Sequence, residues 1–211
     1  MTEPERPAGD RRTRRREQTR SQLLAAAQTL FARQGVEATR INEITDEADV
    51  GFGSFYNHFD SKEAIVEAVL EDVIREHGAA LEELSEGLDD PAEVVAIAHR
   101  HFVRMASSDP EWAWLLVRMD ASHSIVLSAL GPFAMRDMKR GIAAGRFAVA
   151  DPVIALRAAG GALMAVMRAV LEGAAPRGAD IHHAEGVLRS FGVTPDDAAE
   201  VARRRLPRSA R

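Results

Sequence analysis

TRINEITDEADVGFGSFYNHFDSKE, residues 39–63, is the stretch that decides how this chain folds. Ile41, Ile44 and Ala48 recur at helical spacing and the pattern stops at Asp49, which predicts a short helix with one apolar face. Thr39 stands just before it, where a side-chain oxygen can satisfy orphan backbone donors, and is expected to cap it. After a turn of about three or four residues, Phe55 and Phe59 lie four apart and share one face of a further short helix. Ser54, Tyr56, Asn57 and His58 vary around the rest, leaving its polar side free for a partner. Two short helices joined so tightly, the second buried on one side and polar on the other, have the geometry that lays a helix in a major groove.

Working outward, Leu23, Ala27 and Leu30, with Leu24 and Phe31, predict an amphipathic helix that ends near Gly35. Before it, residues 1–18 carry Pro4, Pro7 and Gly9 among charges and read as a flexible basic arm. Arg11, Arg12, Arg14, Arg15, Arg16 and Arg20 face only Glu17, a local excess suited to DNA phosphates. On the other side, Ser61 reads as the cap of a fourth helix whose stripe, Val66, Leu70 and Val73, runs to about Gly78. The closing cluster of Arg203, Arg204, Arg205, Arg208 and Arg211 reads as solvated surface.

The remaining residues show helical periodicity punctuated at Gly87 to Pro91, Asp109-Pro110, Gly131-Pro132, Gly145 to Pro152, Pro176 to Asp180 and Gly192 to Pro195. No sustained alternation of β-branched or aromatic residues appears, and alanine and leucine dominate the apolar set, so the fold is expected to be all-α. A chain of 211 residues holds either one medium domain or a small domain joined to a larger one. It has no cysteine, which excludes disulfides, thiolate metal sites and cysteine nucleophiles. Its net charge of −5 argues against a protein that coats nucleic acid everywhere, so any DNA contact is expected to be local. The N-terminus lacks an apolar signal core, and the most apolar stretch, Val153 to Leu171, is interrupted by Arg157 and Arg168. A cytoplasmic location without membrane spanning is therefore expected.

Residues 39–63, with Phe31 and Gly35 before them at the end of helix one, resemble the TetR family of repressors: Ile41 and Ile44 match in helix two, and Ala48 and Val50 around the turn. Phe55, Tyr56 and Phe59 in the recognition helix and the Ser61-Lys62-Glu63 start of helix four match as well. The resemblance implies a DNA-binding regulator of three parts: the arm at 1–18, a three-helix domain with a helix-turn-helix at 19–67, and a larger effector-binding and dimerisation domain at 68–211. It further implies a repressor that holds a palindromic double-stranded operator as a homodimer. A small-molecule effector releases it by swinging the helices that begin at Ser61, so that the recognition helices no longer match grooves about 34 Å apart.

Resemblance and physics together nominate the DNA contacts. Tyr56 can donate its hydroxyl to phosphate, Lys62 adds an ammonium at a helix start, and Ser54 and Thr39 can bond phosphate oxygens. Asn57 and His58 are candidates for base edges or neighbouring phosphates, and Arg40, Phe52 and Gly53 complete the set. Two departures from the family pattern stand out. Asp49 occupies a turn position where the family commonly has Gly, and Asp tolerates a positive φ better than most residues. Gly51-Phe52-Gly53 replaces a Ser-Lys-Gly type sequence, removing one polar contact; Phe52 either packs on its helix or touches a thymine methyl.

In the C-terminal part, Asp151 is placed to cap a helix with Val153, Leu156, Gly160, Leu163 and Met167 on one face. Gly160-Gly161 costs about 1 kcal/mol per glycine relative to alanine, which suggests close approach of a partner helix. The helix through Ala184, Val187, Leu188 and Phe191 is expected to complete a four-helix dimer interface, with a last helix capped by Thr194 behind it. Phe102, Met105, Trp112, Trp114 and Met119 supply soft apolar volume for an adaptable effector pocket, as do Phe133, Met135, Met138, Met164 and Met167. Arg118, His123 and Arg136 are the polar candidates to orient a ligand.

Two other readings were set against this one. An activator or architectural binder with the same N-terminal module would need no effector. An enzyme finds little support: His99 and His101 fall on different helix sides, His182 and His183 are adjacent, and no nucleophile elbow or phosphate-binding glycine loop occurs. No cofactor or metal is expected.

Overall fold

The computed structural model describes the backbone of residues 8–118 and 122–207, and the side chains of residues 13–114, 116, 117 and 130–207. Three of the nominated pocket side chains, Arg118, Met119 and His123, lie outside the described residues, as do Arg208 and Arg211. Among the described residues every regular element is a helix. In chain order they are α1 (Ala8–Gln34), α2 (Ile41–Glu47), α3 (Phe52–Phe55), α4 (Lys62–Ser85) and α5 (Pro91–Ser108). Then follow α6 (Pro110–Arg118), α7 (Ser122–Ala143), α8 (Pro152–Leu171), α9 (Ala179–Ser190) and α10 (Pro195–Arg203). The chain divides into two compact units, Met1–Val69 and Leu70–Arg211.

In the first unit the apolar stripes meet as their spacing predicts: Leu23, Ala27, Leu30 and Phe31 of α1, Ile44 of α2, Phe55, Phe59 and Ile65 are all buried. Residues 8–18, expected as a flexible arm, are instead the first turns of α1. Arginine and glutamine are good helix formers and nothing after Gly9 interrupts them, so the segment propagates the helix behind it. The Thr19 hydroxyl bonds the Arg15 carbonyl within it at 3.0 Å.

Thr39 does not cap α2. It is 1% exposed, and its hydroxyl donates to the Gly35 carbonyl at 2.8 Å, closing the loop after α1. The cap position belongs to Arg40, whose backbone N–H is received by the Glu43 carboxylate at 2.8 Å. Ser61 behaves as expected, its oxygen accepting from the Ala64 amide at 3.1 Å. Beyond it α4 continues past Gly78 to Ser85, because alanine, leucine and glutamate follow that glycine and sustain the helix.

In the second unit α5 packs against α6, α7, α8, α9 and α10. Ala96 of α5, Met138 of α7, Phe147, Val187, Leu188 and Phe191 of the α9 end, and Val201 of α10 form a buried cluster. The Phe147 and Phe191 rings meet edge to face at 5.5 Å. A Cβ at Gly141 would lie 2.0 Å from the Phe147 ring, so only glycine lets α7 come that close. Gly131-Pro132 does not break the chain: α7 runs through Pro132, since proline's fixed φ is itself helical and only its missing N–H weakens the ladder.

Charged side chains tie the α5 start to the C-terminal end. Arg146 pairs with Asp90 at 2.8 Å and with Asp197, while Arg204 reaches Glu93 at 2.8 Å. Burial works against the Asp90 charge, yet bonds from Arg146 and the Ala92 amide outweigh it and hold its carboxyl below the usual range. Arg100, buried, pairs with Asp180 at 3.2 Å and donates to the Arg204 carbonyl at 2.6 Å. Arg204 is thus an anchor rather than solvated surface.

Asp151 caps α8 as expected, accepting from the Val153 and Ile154 amides at 2.8 and 3.0 Å. Thr194 occupies the cap position of α10 without a side-chain capping bond. The residues expected at a dimer interface need correction. Leu163, Met167, Ala184, Val187, Leu188 and Phe191 are buried within this chain, because their faces of α8 and α9 line its own core. The opposite side of α8 is open, with Ile154 62% exposed and Ala158, Gly161, Ala162 and Ala165 exposed below it.

Candidate functional site

The turn between α2 and α3 depends on Asp49, which adopts a φ of +53°, as its short polar side chain permits. Val50 donates back to the Thr45 carbonyl at 3.0 Å, and Ser54 to the Gly51 carbonyl at 2.7 Å. α3 is a single turn that continues as hydrogen-bonded turns, the Phe59 amide reaching the Phe55 carbonyl at 3.0 Å. Phe55 is fully buried and Phe59 nearly so, their rings 5.7 Å apart. That fixes the outward direction: Tyr56 is 51% exposed, Phe52 is 53% exposed, Asn57 is exposed, and Ser54 and His58 are half-buried.

The first turns of α1 lie against this surface. The Arg16 guanidinium donates to the Asn57 carbonyl at 3.3 Å, and the Arg20 guanidinium sits 5.2 Å from the centre of the Phe59 ring. Burial, then Arg16, then Arg20 lower the His58 pKa from its ordinary value. A neutral imidazole there offers one donor and one acceptor nitrogen. Arg16 and Arg20 belong to the basic run that the sequence offered for DNA phosphates; the placement of Arg16 beside α3 follows from helical turns in what was expected to be an arm at 1–18.

The other nominated residues divide. Arg40 is exposed, and Gly53 has open space where a Cβ would stand. Lys62 is half-buried at the start of α4, its ammonium 3.4 Å from the Glu37 carbonyl. Thr39 is withdrawn as a phosphate contact: its hydroxyl is buried and already donates to Gly35.

The second unit encloses a cavity of about 330 Å³ between α4, α5, α7 and α8. Its walls include Leu81, Val94, Val95, Phe102, Leu130, Phe133, Met135, Met138, Leu156 and Leu163. Polar groups are few: Glu82, Ser85, His99, Arg136, Asp137 and Arg157. Arg136 pairs with Glu82 at 2.8 Å and Asp137 at 3.1 Å. Of the nominated pocket residues, Phe102, Phe133, Met135, Met138 and Arg136 line this cavity; Met105, Trp112, Trp114, Met164 and Met167 do not. Met105, Trp112 and Met167 are core side chains, turned toward neighbouring helices by the phase of their own.

Sequence reading also missed the pairing of histidines. His99 on the cavity wall meets His183 at 2.9 Å, and His77 meets His101 at 3.0 Å. Each contact requires one N–H and one lone pair, so the two rings of a pair cannot both be protonated. Burial, reinforced by His183, pushes His99 down to about 3; burial and His77 push His101 down to about 4. Burial pushes His183 down to about 4. With partners 84 and 24 residues away, no local spacing announces either pair.

Comparison with known proteins decides the family. Residues 90–204 match the family model described as tetracyclin repressor-like, C-terminal domain, and residues 23–69 match that of bacterial regulatory proteins, tetR family. The chain belongs to the TetR family. That family is one of bacterial regulatory proteins, and among the described residues the expected all-α architecture stands.

Among curated TetR-family relatives, the HTH-type transcriptional repressor KstR2 of Rhodococcus jostii (strain RHA1) is 35% identical over 127 residues, 60% of this chain and 53% of that protein. KstR2 of Mycolicibacterium smegmatis is 36% identical over 91 residues, 39% of this chain and 44% of that one. This chain therefore spans about half the length of the curated relatives it matches. The solved structure of RolR in complex with resorcinol is similar throughout, with a TM-score of 0.85 and 38% identity over 94% of this chain and 100% of that one. RolR without ligand gives 0.82 and 37%, covering 90% and 100%.

Proposed function

We propose that this TetR-family chain is a cytoplasmic repressor that grips an operator through the surface around Tyr56 and releases it when a small molecule fills the cavity. The observation that carries the reading is the division of the recognition turn: Phe55 and Phe59 are sealed inside while Phe52, Tyr56 and Asn57 face out. Against that face lie the Arg16 and Arg20 guanidinium groups, with Lys62 opening the next helix, cations that suit a phosphate backbone on a chain whose net charge is −5. Tyr56, Ser54 and Lys62 are the proposed phosphate contacts, with Asn57 and His58 at base edges.

For the effector, a cavity of about 330 Å³ with apolar walls and a few charged groups suits a small ring bearing hydroxyls. RolR, similar over its whole length, was solved with resorcinol, which supports the same ligand class here. α4 supplies Leu81, Glu82 and Ser85 to the wall and begins directly after the recognition turn, so a ligand that reseats α4 alters the groove-facing residues.

The exposed side of α8 is the proposed homodimer face. α8 is long and apolar enough to cross a membrane by composition, and little of its apolar window is buried in this chain. Arg157 and Arg168 interrupt it, so a second copy of the chain suits that face better than lipid.

The test uses the full chain and duplexes enriched from a randomised library. Specific binding should exceed that to scrambled duplexes of equal length by about a thousandfold, fall steeply with salt, and weaken when resorcinol is added. Equal affinity for scrambled duplexes overturns the operator reading, and indifference to resorcinol across a panel of phenols overturns the effector class. A monomer in sedimentation at micromolar concentration overturns the dimer face.

A further inference from the structure

We infer that Phe52 is a base-reading residue, its ring receiving the 5-methyl group of thymine in the major groove; this rests on the DNA-binding reading above. Among the described residues of the first unit, Phe52 and Tyr56 are the large apolar side chains left exposed. An isolated exposed phenylalanine needs no explanation, but this one is held in place. Its ring meets Tyr56 edge to face at 5.7 Å, and Tyr56 in turn meets the fully buried Phe55 at 5.3 Å. Two rings in succession, Phe55 and Tyr56, brace Phe52 from the core outward.

The backbone around it is bare. Gly51 and Gly53 flank the ring, and a Cβ on Gly53 would meet nothing within 4 Å, so the backbone beside the ring is open there. Two guanidinium groups are held at the same turn, Arg16 donating to the Asn57 carbonyl at 3.3 Å and Arg20 lying 5.2 Å from the centre of the Phe59 ring, which suits an anionic partner there. On the major-groove edges of the four bases the thymine methyl is the apolar group; adenine, guanine and cytosine present donors and acceptors there. Phenylalanine has neither donor nor acceptor. A braced ring beside two guanidinium groups on the recognition turn therefore selects thymine by contact and disfavours bases whose polar edges it would desolvate.

The experiment is a double-mutant cycle with the full chain: wild type and Phe52→Ala, each against the duplex most enriched by wild type from a randomised library. The same duplex is then prepared with single thymines replaced by deoxyuridine, which removes only the methyl. Wild type should lose about fourfold in affinity per contacted methyl, the worth of one buried methyl group. Phe52→Ala should bind the thymine duplex correspondingly more weakly, keep its salt dependence, and be indifferent to deoxyuridine at that position. If every deoxyuridine substitution has the same effect on both proteins, Phe52 reads no thymine, although operator binding stands. If wild type enriches no duplex at all, the regulator reading falls and takes this inference with it.

Discussion

The surface proposed for DNA and the cavity are built on opposite plans. The first comes from one contiguous stretch, residues 39–63, joined by Arg16 and Arg20; buried phenylalanines hold its back and its working side lies in water. The second is assembled from four helices between Gly78 and Phe191, and its working side lies inside. A site made by one local segment can present polar groups cheaply because water solvates them until the partner arrives. Where distant helices meet, a buried polar group must find its partner within the chain, as His99 on the cavity wall does in His183 and the buried Arg100 does in Asp180.

Acid offers the largest test of that contrast. In the unfolded chain the imidazoles take up protons near their ordinary value of 6.5, whereas His99, His101 and His183 resist protonation down to about 3, 4 and 4. Unfolding therefore absorbs protons below pH 6.5, and stability that is intact above that pH declines as pH falls toward 4. Urea midpoints followed by circular dichroism should be flat above pH 6.5 and drop steadily below it. The double variant His99→Leu, His183→Leu removes both partners of one pair and should reduce the slope. A wild-type midpoint that holds level down to pH 4 would show that the pairs are not kept neutral by the fold.

Phe55→Ala probes the other plan. Truncating a fully buried phenylalanine typically costs about 3–5 kcal/mol, and here it removes the support on which Tyr56 and Phe52 rest. Operator binding should be lost while ligand binding in the cavity persists, as read by calorimetry on the full-length variant. Loss of both would mean that the two sites do not stand on separate supports.

The same contrast explains what could be read from sequence. Phe55 and Phe59, the Ser61 cap and the positive φ of Asp49 were legible because each depends on neighbours a few residues away. Thr39 was misread because a hydroxyl before a helix can equally bond backward, and only the closed loop after α1 selects Gly35 as its partner. The basic arm was misread because two prolines and a glycine near its start masked good helix formers behind them. In the C-terminal part most element positions were legible, though not the run of α7 through Gly131-Pro132, and what buries the apolar faces was not. Val187, Leu188 and Phe191 were rightly apolar and wrongly taken for an intermolecular surface, because periodicity names a buried face without naming what buries it. The cavity wall drew on residues more than a hundred positions apart, and the His99–His183 contact had no local signature.

Two glycines sharpen the distinction at intermediate size. Gly141→Ala places a methyl group against the Phe147 ring, which is itself wedged on Phe191 at the cavity wall. Overpacking of this kind costs about 1–3 kcal/mol, to be seen as a lower urea midpoint together with altered ligand affinity. Gly161→Ala meets nothing within the chain. In an isolated protomer it should stabilise α8 by up to about 1 kcal/mol, while weakening a dimer whose partner approaches that face. A gain in stability with no change in sedimentation would remove Gly161 from the proposed interface.

The smallest effect is expected at the turn itself. Asp49 holds a left-handed backbone conformation, φ +53°, that disfavours a residue with a Cβ by about 1–2 kcal/mol. Aspartate offsets part of that strain through its short polar side chain, and glycine would lose more entropy on folding. Asp49→Gly should therefore gain only about 0.5 kcal/mol, whereas Asp49→Ala should lose about 1 kcal/mol, from the same strain without the offset. Both variants also remove a carboxylate from the turn that precedes the groove-facing residues, so operator affinity should rise alike in the two even though their stabilities move in opposite directions. Affinity that instead tracks stability would show that the turn contributes through rigidity, and that the local surface depends on its own backbone as strictly as the cavity depends on its packing.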